Sequence, residues 1–248
     1  MIDPAELSAK KIYDGLATTY SLGFEANFIQ YLKYQLLQQF VTPTSVCLDI
    51  GGANGVFIIP LSGKVKEVHS IDISPVMLAE CRKNLDERDI TNVHLYQRSA
   101  TKLLFDDNFF DVVFSYSTLS LVPNPERAYK EIVRVLKPGG LAILDITGKF
   151  NLSQYYWARY YRRHGHFGLN AYSLPEIRAI FRALNLEIIE TYATGLLDQW
   201  KYVPLLRKAE FLEKVFHTSS CEPDLDYKIS QRIPWLANRW YFVLKNLK

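Results

Sequence analysis

Residues 48–55 read LDIGGANG, an acid and three glycines within eight positions, directly after the apolar run SVCLDI (45–50). A continuous apolar run of that length followed by glycines reads as a buried strand ending in a sharp turn. Outward from the turn the rhythm repeats. GVFIIPLS gives a short helix, VHSIDI (68–73) a second strand, and Ser74-Pro75 the cap of a helix reaching about Leu85. NVHLYQ (92–97) and DVVFSY (111–116) are the third and fourth strands. Asn124-Pro125 opens a helix ending at LKPGG (136–140), and LAILDI (141–146) is the fifth strand. SLPEIRAIFRAL (173–184) is a capped amphipathic helix leading into LEIIETYA, a sixth strand, and RWYFVLK (239–245) is a seventh. Strands alternating with helices at this spacing predict an α/β fold: a Rossmann-like, seven-stranded, mostly parallel sheet with helices on both faces, the last strand antiparallel, and a helical cap.

In such a sheet ligands bind beyond the carboxyl ends of the strands, near the point where strand order reverses. The second strand ends in Asp72, twenty-one residues after Gly51, where a carboxylate can accept hydrogen bonds from two ribose hydroxyls. That pairing fits a dinucleotide or S-adenosylmethionine. Asp49 separates the two. An acid at the strand end repels a diphosphate, whereas it orients the cationic methionine part of S-adenosylmethionine.

With its acid, spacer and glycine turn, D-I-G-G-A-N-G resembles the first motif of the class I S-adenosylmethionine-dependent methyltransferases, with Ala53 where the middle glycine of GxGxG stands. Ala costs little there unless the position needs a positive φ. The resemblance runs from about Tyr13 to Ile188, with a looser return at the final strand. It implies cofactor contacts from Asp49, Gly51, Gly52, Ala53 and Gly55. SIDISPVML adds Asp72, Ile73 and Met77. In QRSATKLLF the acid that often holds the adenine amino group is Ser99, so Ser99, Ala100 and Thr101 are expected to supply that contact, with Ser115 at the end of the fourth strand. YDGLATTYS resembles a segment of the ubiquinone and menaquinone biosynthesis branch and related small-molecule methyltransferases, which implies that Tyr20 lies over the methyl-donor end. Packing of Tyr13 and Tyr20 on the sheet is the alternative.

The 248 residues suffice for one domain with a full core. Residues 1–40 read as N-terminal helices, 45–148 as the cofactor-binding core, and 149–172 and 195–238 as insertions that cover the site or form an interface. A helix opened by Asp3-Pro4 and running to about Tyr20, and another over 24–40, are expected. The net charge of +3 gives no ground for a nucleic-acid partner. No run of eighteen apolar residues predicts a membrane span. The three cysteines are far apart and show no metal-ligating spacing, so a reduced, cytoplasmic setting without a structural metal is expected. A homodimer is a further expectation for the insertions.

Methyl transfer needs a base only where the acceptor must lose a proton. Histidine suits that task, and His166 and His164 in YYRRHGHFGLNAYSLPEI stand where the family often carries one. Ser117 to Ser120 face the substrate by position. The aromatic insertion, with Tyr155, Tyr156, Trp157, Tyr160 and Tyr161 beside Arg159, Arg162 and Arg163, favours an apolar or aromatic small-molecule acceptor. Two alternatives stand beside a methyltransferase. One is a non-catalytic S-adenosylmethionine-binding protein. The other is a short-chain dehydrogenase, although Tyr241 and Lys245 lie on an expected strand, where four residues span about 13 Å.

Overall fold

The computed structural model describes residues 6–17, 28–203, 206, 208, 211–216 and 222–248. Seven strands form one sheet: β1 (Val46–Ile50), β2 (Glu67–Asp72), β3 (Val93–Gln97), β4 (Phe110–Ser115), β5 (Leu136–Thr147), β6 (Leu186–Thr194) and β7 (Arg239–Asn246). Their order is β3-β2-β1-β4-β5-β7-β6. The first five pair in parallel, and β7 runs antiparallel between β5 and β6. Strand order reverses between β1 and β4, so the glycine turn after β1 opens at the reversal point.

Alternation along each strand divides the core in two. Leu48, Ile50, Ile71, Val113 and Leu144 face one side, which α5 (Pro125–Val135) and α7 (Leu174–Ala183) cover through Ile132, Ile177 and Phe181. Cys47, Val68, Val112, Phe114 and Val243 face the other, covered by α2 (Phe28–Gln39), α3 (Ile58–Ser62) and α4 (Pro75–Asp86) through Leu37, Ile58 and Leu85. Helices on both faces are therefore needed to remove both sheet surfaces from water. Their starts follow the expected chemistry. Ser74 accepts from the Met77 amide, Asn124 accepts from the Arg127 amide, and Ser173 forms a reciprocal capping box with Glu176. Burial pushes the Cys47 and Cys81 thiols up to about 12, as expected of small core residues.

Some boundaries differ from the sequence reading. LKPGG belongs to β5: Leu136 pairs with Phe110, the register shifts before Val112, and Gly139 takes a left-handed φ of 74°. The N-terminal helix α1 covers Leu7–Leu16, and its expected cap at Asp3 lies outside the described residues. Residues 149–172 contain α6 (Leu152–Arg163). Residues 195–238 hold a 3-10 segment (Leu197–Tyr202), α8 (Phe211–Phe216) and α9 (Leu225–Arg232). The Asp226 carboxylate of α9 accepts from the Gly195 and Leu197 amides at 2.6 Å each, tying this insertion to the end of β6. No described helix is long and apolar enough to cross a membrane.

Candidate active site

The glycine turn is shaped first by the protein's own packing. Gly51 has φ of 85°, and a Cβ there would stand 1.9 Å from Thr118 Oγ1, after β4. A Cβ on Gly52 would stand 1.9 Å from Ser70 Oγ and 2.8 Å from Asp49 Oδ2. Both contacts fall far inside van der Waals range, so neither position admits a side chain. Ala53 has φ of 47°. The condition under which alanine becomes costly is therefore met, at about 1–2 kcal/mol for an L-residue in the left-handed region. That conformation aims the Ala53 amide at Asp72 Oδ2, 3.0 Å away.

Asp72 Oδ1 accepts from the Ser74 amide at 2.8 Å. Both carboxylate oxygens thus hold backbone donors and keep acceptor capacity for a ligand. Burial raises the Asp72 carboxyl above its usual range, against the lowering by those amides. Asp49 lies beneath the turn, 4% exposed. Burial, and then the charge of Asp72, hold its carboxyl well above the usual range. A cation bound above this pair offsets both penalties.

Above the turn opens a cleft with about 660 Å³ of empty space, including its mouth. Ile50, Ile71, Ile73, Leu121 and Val122 make it largely apolar, and Asp72, Arg98 and Glu6 are its charged residues. Of the residues expected at the cofactor, Gly51, Ala53, Asp72, Ile73 and Ala100 line it. The rest of the described set supports those walls. Ser115 Oγ donates to the Ile50 carbonyl at 2.9 Å, clipping β4 to β1, and Met77 is fully buried in α4. Ser99 Oγ accepts from the Thr101 amide and donates to Glu6 Oε1 at 2.7 Å. An acid therefore stands at the place where the sequence carries Ser99, brought by the turn before α1. Sequence reasoning missed Glu6 because 93 residues separate it from Ser99. It also missed Arg98, whose guanidinium stacks on Tyr96 and Phe105.

The two histidines do not line the cleft. His166 is 4% exposed; its Nε2 lies 3.1 Å from the Leu121 carbonyl and its Nδ1 2.9 Å from the Gly168 carbonyl. With Asn170, which donates to the Leu119 and Val122 carbonyls, it braces the segment forming one cleft wall. His164 is exposed and packs on Tyr160, with Nδ1 2.8 Å from the Tyr160 carbonyl. Tyr20 lies outside the described residues.

Beside Gly51 the cleft wall continues through Thr118, Ser117 and Tyr116, and Tyr13 also lines it. Ser117 has φ of 59°, and its amide donates to Asp145 Oδ1 at 2.8 Å. Asp145 pairs with Arg239 at 2.6 Å, across the β5–β7 boundary. Lys33 of α2 lies over the rings of Phe57, Tyr116 and Tyr241, and burial lowers its ammonium to about 8. The Tyr13 hydroxyl comes within 3.4 Å of the Tyr161 hydroxyl of α6.

Residues 48–144 match the methyltransferase domain family. The match runs from β1 into β5, less than half of the chain, so this segment is similar to a methyltransferase domain. It is similar to the ubiquinone/menaquinone biosynthesis C-methyltransferase of Idiomarina loihiensis, 39% identical over 101 residues, 39% of this chain and 40% of that one. It is also similar to phosphoethanolamine N-methyltransferase 2 of Caenorhabditis elegans, 31% identical over 137 residues, 52% of this chain and 31% of that protein. The chain thus spans about a third to two fifths of these two relatives. Among solved structures, a [4+2]-cyclase, SpnF, aligns with a TM-score of 0.70 at 16% identity, covering 99% of this chain and 97% of that one. The Haemonchus contortus phosphoethanolamine N-methyltransferase 2, in complex with phosphomonomethylethanolamine and S-adenosylhomocysteine, aligns at 0.61 and 22% identity, over 87% of this chain and 52% of that one. At such identities these structures support the fold alone.

The residues present fit S-adenosylmethionine, the cofactor that the sequence resemblance implies. Asp72 offers acceptors for a ribose, and Ile73 and Ala100 offer apolar surface for a base.

Proposed function

We propose that the chain transfers the methyl group of S-adenosylmethionine to a small-molecule acceptor with an apolar or aromatic body. The observation that carries this reading is the cleft itself: Asp72, held by backbone amides, and two tyrosines, Tyr13 and Tyr116, line one largely apolar space. The bound sulfonium supplies an electrophilic methyl group. The chain's own part is placement. Ile73 and Ala100 hold the base, Asp72 the ribose, and the Asp49 carboxyl beneath the turn favours a positive charge above it. Orienting two reactants in this way is worth several kcal/mol. His166 acts as a brace for the wall at Leu121 rather than as a base. An acceptor that is neutral or already deprotonated then needs no protein base. Residues 149–172 and 195–238 cover the acceptor end of a single domain, a reading supported by the approach of Tyr161 to Tyr13.

Calorimetric titration with S-adenosylmethionine, S-adenosylhomocysteine and NADPH tests the cofactor. Binding of NADPH without binding of S-adenosylmethionine sinks the reading. Asp72→Ala is expected to weaken S-adenosylmethionine binding by at least about tenfold, the loss of about one charge-assisted hydrogen bond. An unchanged affinity removes Asp72 from the ribose. Methyl transfer assayed across a panel of phenols, quinones and amines then separates an enzyme from a binding protein, since turnover of none defeats the catalytic part.

A further inference from the structure

At the opposite end of β2 from Asp72, Glu67 and His69 project from the same face of the strand. His94 of β3 joins them, because His69 and His94 are register partners. The His94 Nε2 lies 3.6 Å from Glu67 Oε2, and the His69 Nε2 lies 3.9 Å from the same oxygen. All three donor atoms fall within 4.8 Å of one another. His69 is 7% exposed, and its Nε2 is buried without a hydrogen-bond partner. Its Nδ1 lies 3.1 Å from the Tyr96 hydroxyl. The rings of Tyr96, Phe105, Phe109 and Phe110 pack around the imidazole at 5.4–5.7 Å.

A buried imidazole nitrogen without a partner is a cost that folding normally avoids. Here the outer nitrogen meets a hydroxyl, and the inner one is aimed at a carboxylate and a second imidazole. That is the arrangement by which an outer hydrogen bond fixes the tautomer of a metal-ligating histidine. We propose that Glu67, His69 and His94 bind a divalent transition-metal ion of the zinc type. Two imidazoles and one carboxylate select such an ion over magnesium or calcium, which prefer all-oxygen sites. Tetrahedral ligation at about 2.0–2.2 Å places ligand atoms about 3.3 Å apart. The two carboxylate–imidazole separations need a contraction of about 0.3–0.6 Å and the third pair at most about 1.5 Å, within reach of the exposed His94 and the partly exposed Glu67. Water supplies the fourth position. Lys66, 4.0 Å from Glu67, and Arg98, stacked on Tyr96, are the neighbouring cations; neither enters the ligand triangle. The ion clips edge strand β3 to β2. It takes no part in the cofactor cleft, which lies beyond the other end of the strand.

The test uses the full chain, stripped with a chelator and titrated with Co2+ and Zn2+. One equivalent of Co2+ is expected to give the visible d–d band of a four-coordinate site, Zn2+ to displace it, and Zn2+ to raise the thermal midpoint. His94→Ala and Glu67→Gln, both at solvent-accessible positions, are expected to weaken binding at least tenfold while leaving the metal-free circular dichroism unchanged. Absence of the band at one equivalent overturns the proposal. So does an affinity that His94→Ala leaves intact, which would assign the ion to another histidine.

Discussion

The two ends of the cleft are built in different ways. At the cofactor end, the Asp72 carboxylate is held by the amides of Ala53 and Ser74, so backbone donors close to strand ends do the positioning. Behind Tyr116 and Ser117, the part of the cleft proposed above as the acceptor end, full charges of both signs are buried together: Asp145 with Arg239, and Lys33 on three aromatic rings. The first end is built from the turns that follow the neighbouring strands β1 and β2. The second is assembled from β5, β7 and α2 and depends on pairs 94 residues apart. Removing one member should therefore be far more damaging at the acceptor end.

The largest effect is expected at Arg239. Arg239→Leu leaves Asp145 buried without its partner and should cost about 3–5 kcal/mol of stability, read by urea unfolding. A loss below about 1 kcal/mol would mean that the acceptor end does not depend on that pair.

Lys33 tests the same end in the other direction. Burial moves its ammonium from 10.5 to about 8, so the unfolded chain keeps the proton over a pH range in which the folded chain has released it. Stability from this group consequently rises with pH between about 8 and 10.5 and is lowest below about 8. Lys33→Met removes the penalty and should stabilise the protein at pH 7 by about 1–3 kcal/mol, part of the gain being offset by lost cation–π contact. The gap between variant and wild type should narrow towards pH 10. A pH-independent gap would assign the gain to packing alone.

Smaller effects are expected at the cofactor end. Ala53→Gly relieves a φ of 47° and should add about 1 kcal/mol of stability, discounted by the greater freedom of glycine in the unfolded chain. A destabilised variant would show that the turn holds no strain there. Glu6→Gln keeps a neutral acceptor for Ser99 and removes the charge. A weakening of S-adenosylmethionine binding by a few-fold is expected, within the range of one charge-assisted contact, with unchanged stability. Equal affinity would exclude Glu6 as the substitute for the acid missing at Ser99.

The contrast also explains how much was legible beforehand. Five parallel strands, three helix caps and the glycine turn were readable because each is encoded within a few residues: an apolar run, Ser74-Pro75, Asn124-Pro125, Ser173 with Glu176. Ala53 was readable as a departure, but not its positive φ, because the hydrogen bond to Asp72 that goes with that conformation comes from the next strand. His166 looked like a base from its place before the Ser173 helix. Its two carbonyl partners, at Leu121 and Gly168, became visible only once the chain had folded back. Spacing along the chain likewise gave no metal signal, since the register between β2 and β3, not sequence distance, brings His69 beside His94.

The sequence by itself determined the alternation of strands and helices, the acid before the turn and the acid after the next strand, because local periodicity and capping set those features. Tertiary structure alone decided which distant groups share the cleft and which lie behind it. Glu6 reaches Ser99, and Arg239 reaches Asp145, through strand order and helix packing. Those contacts depend on which buried charges find partners in three dimensions, and no short stretch of chain records that pairing.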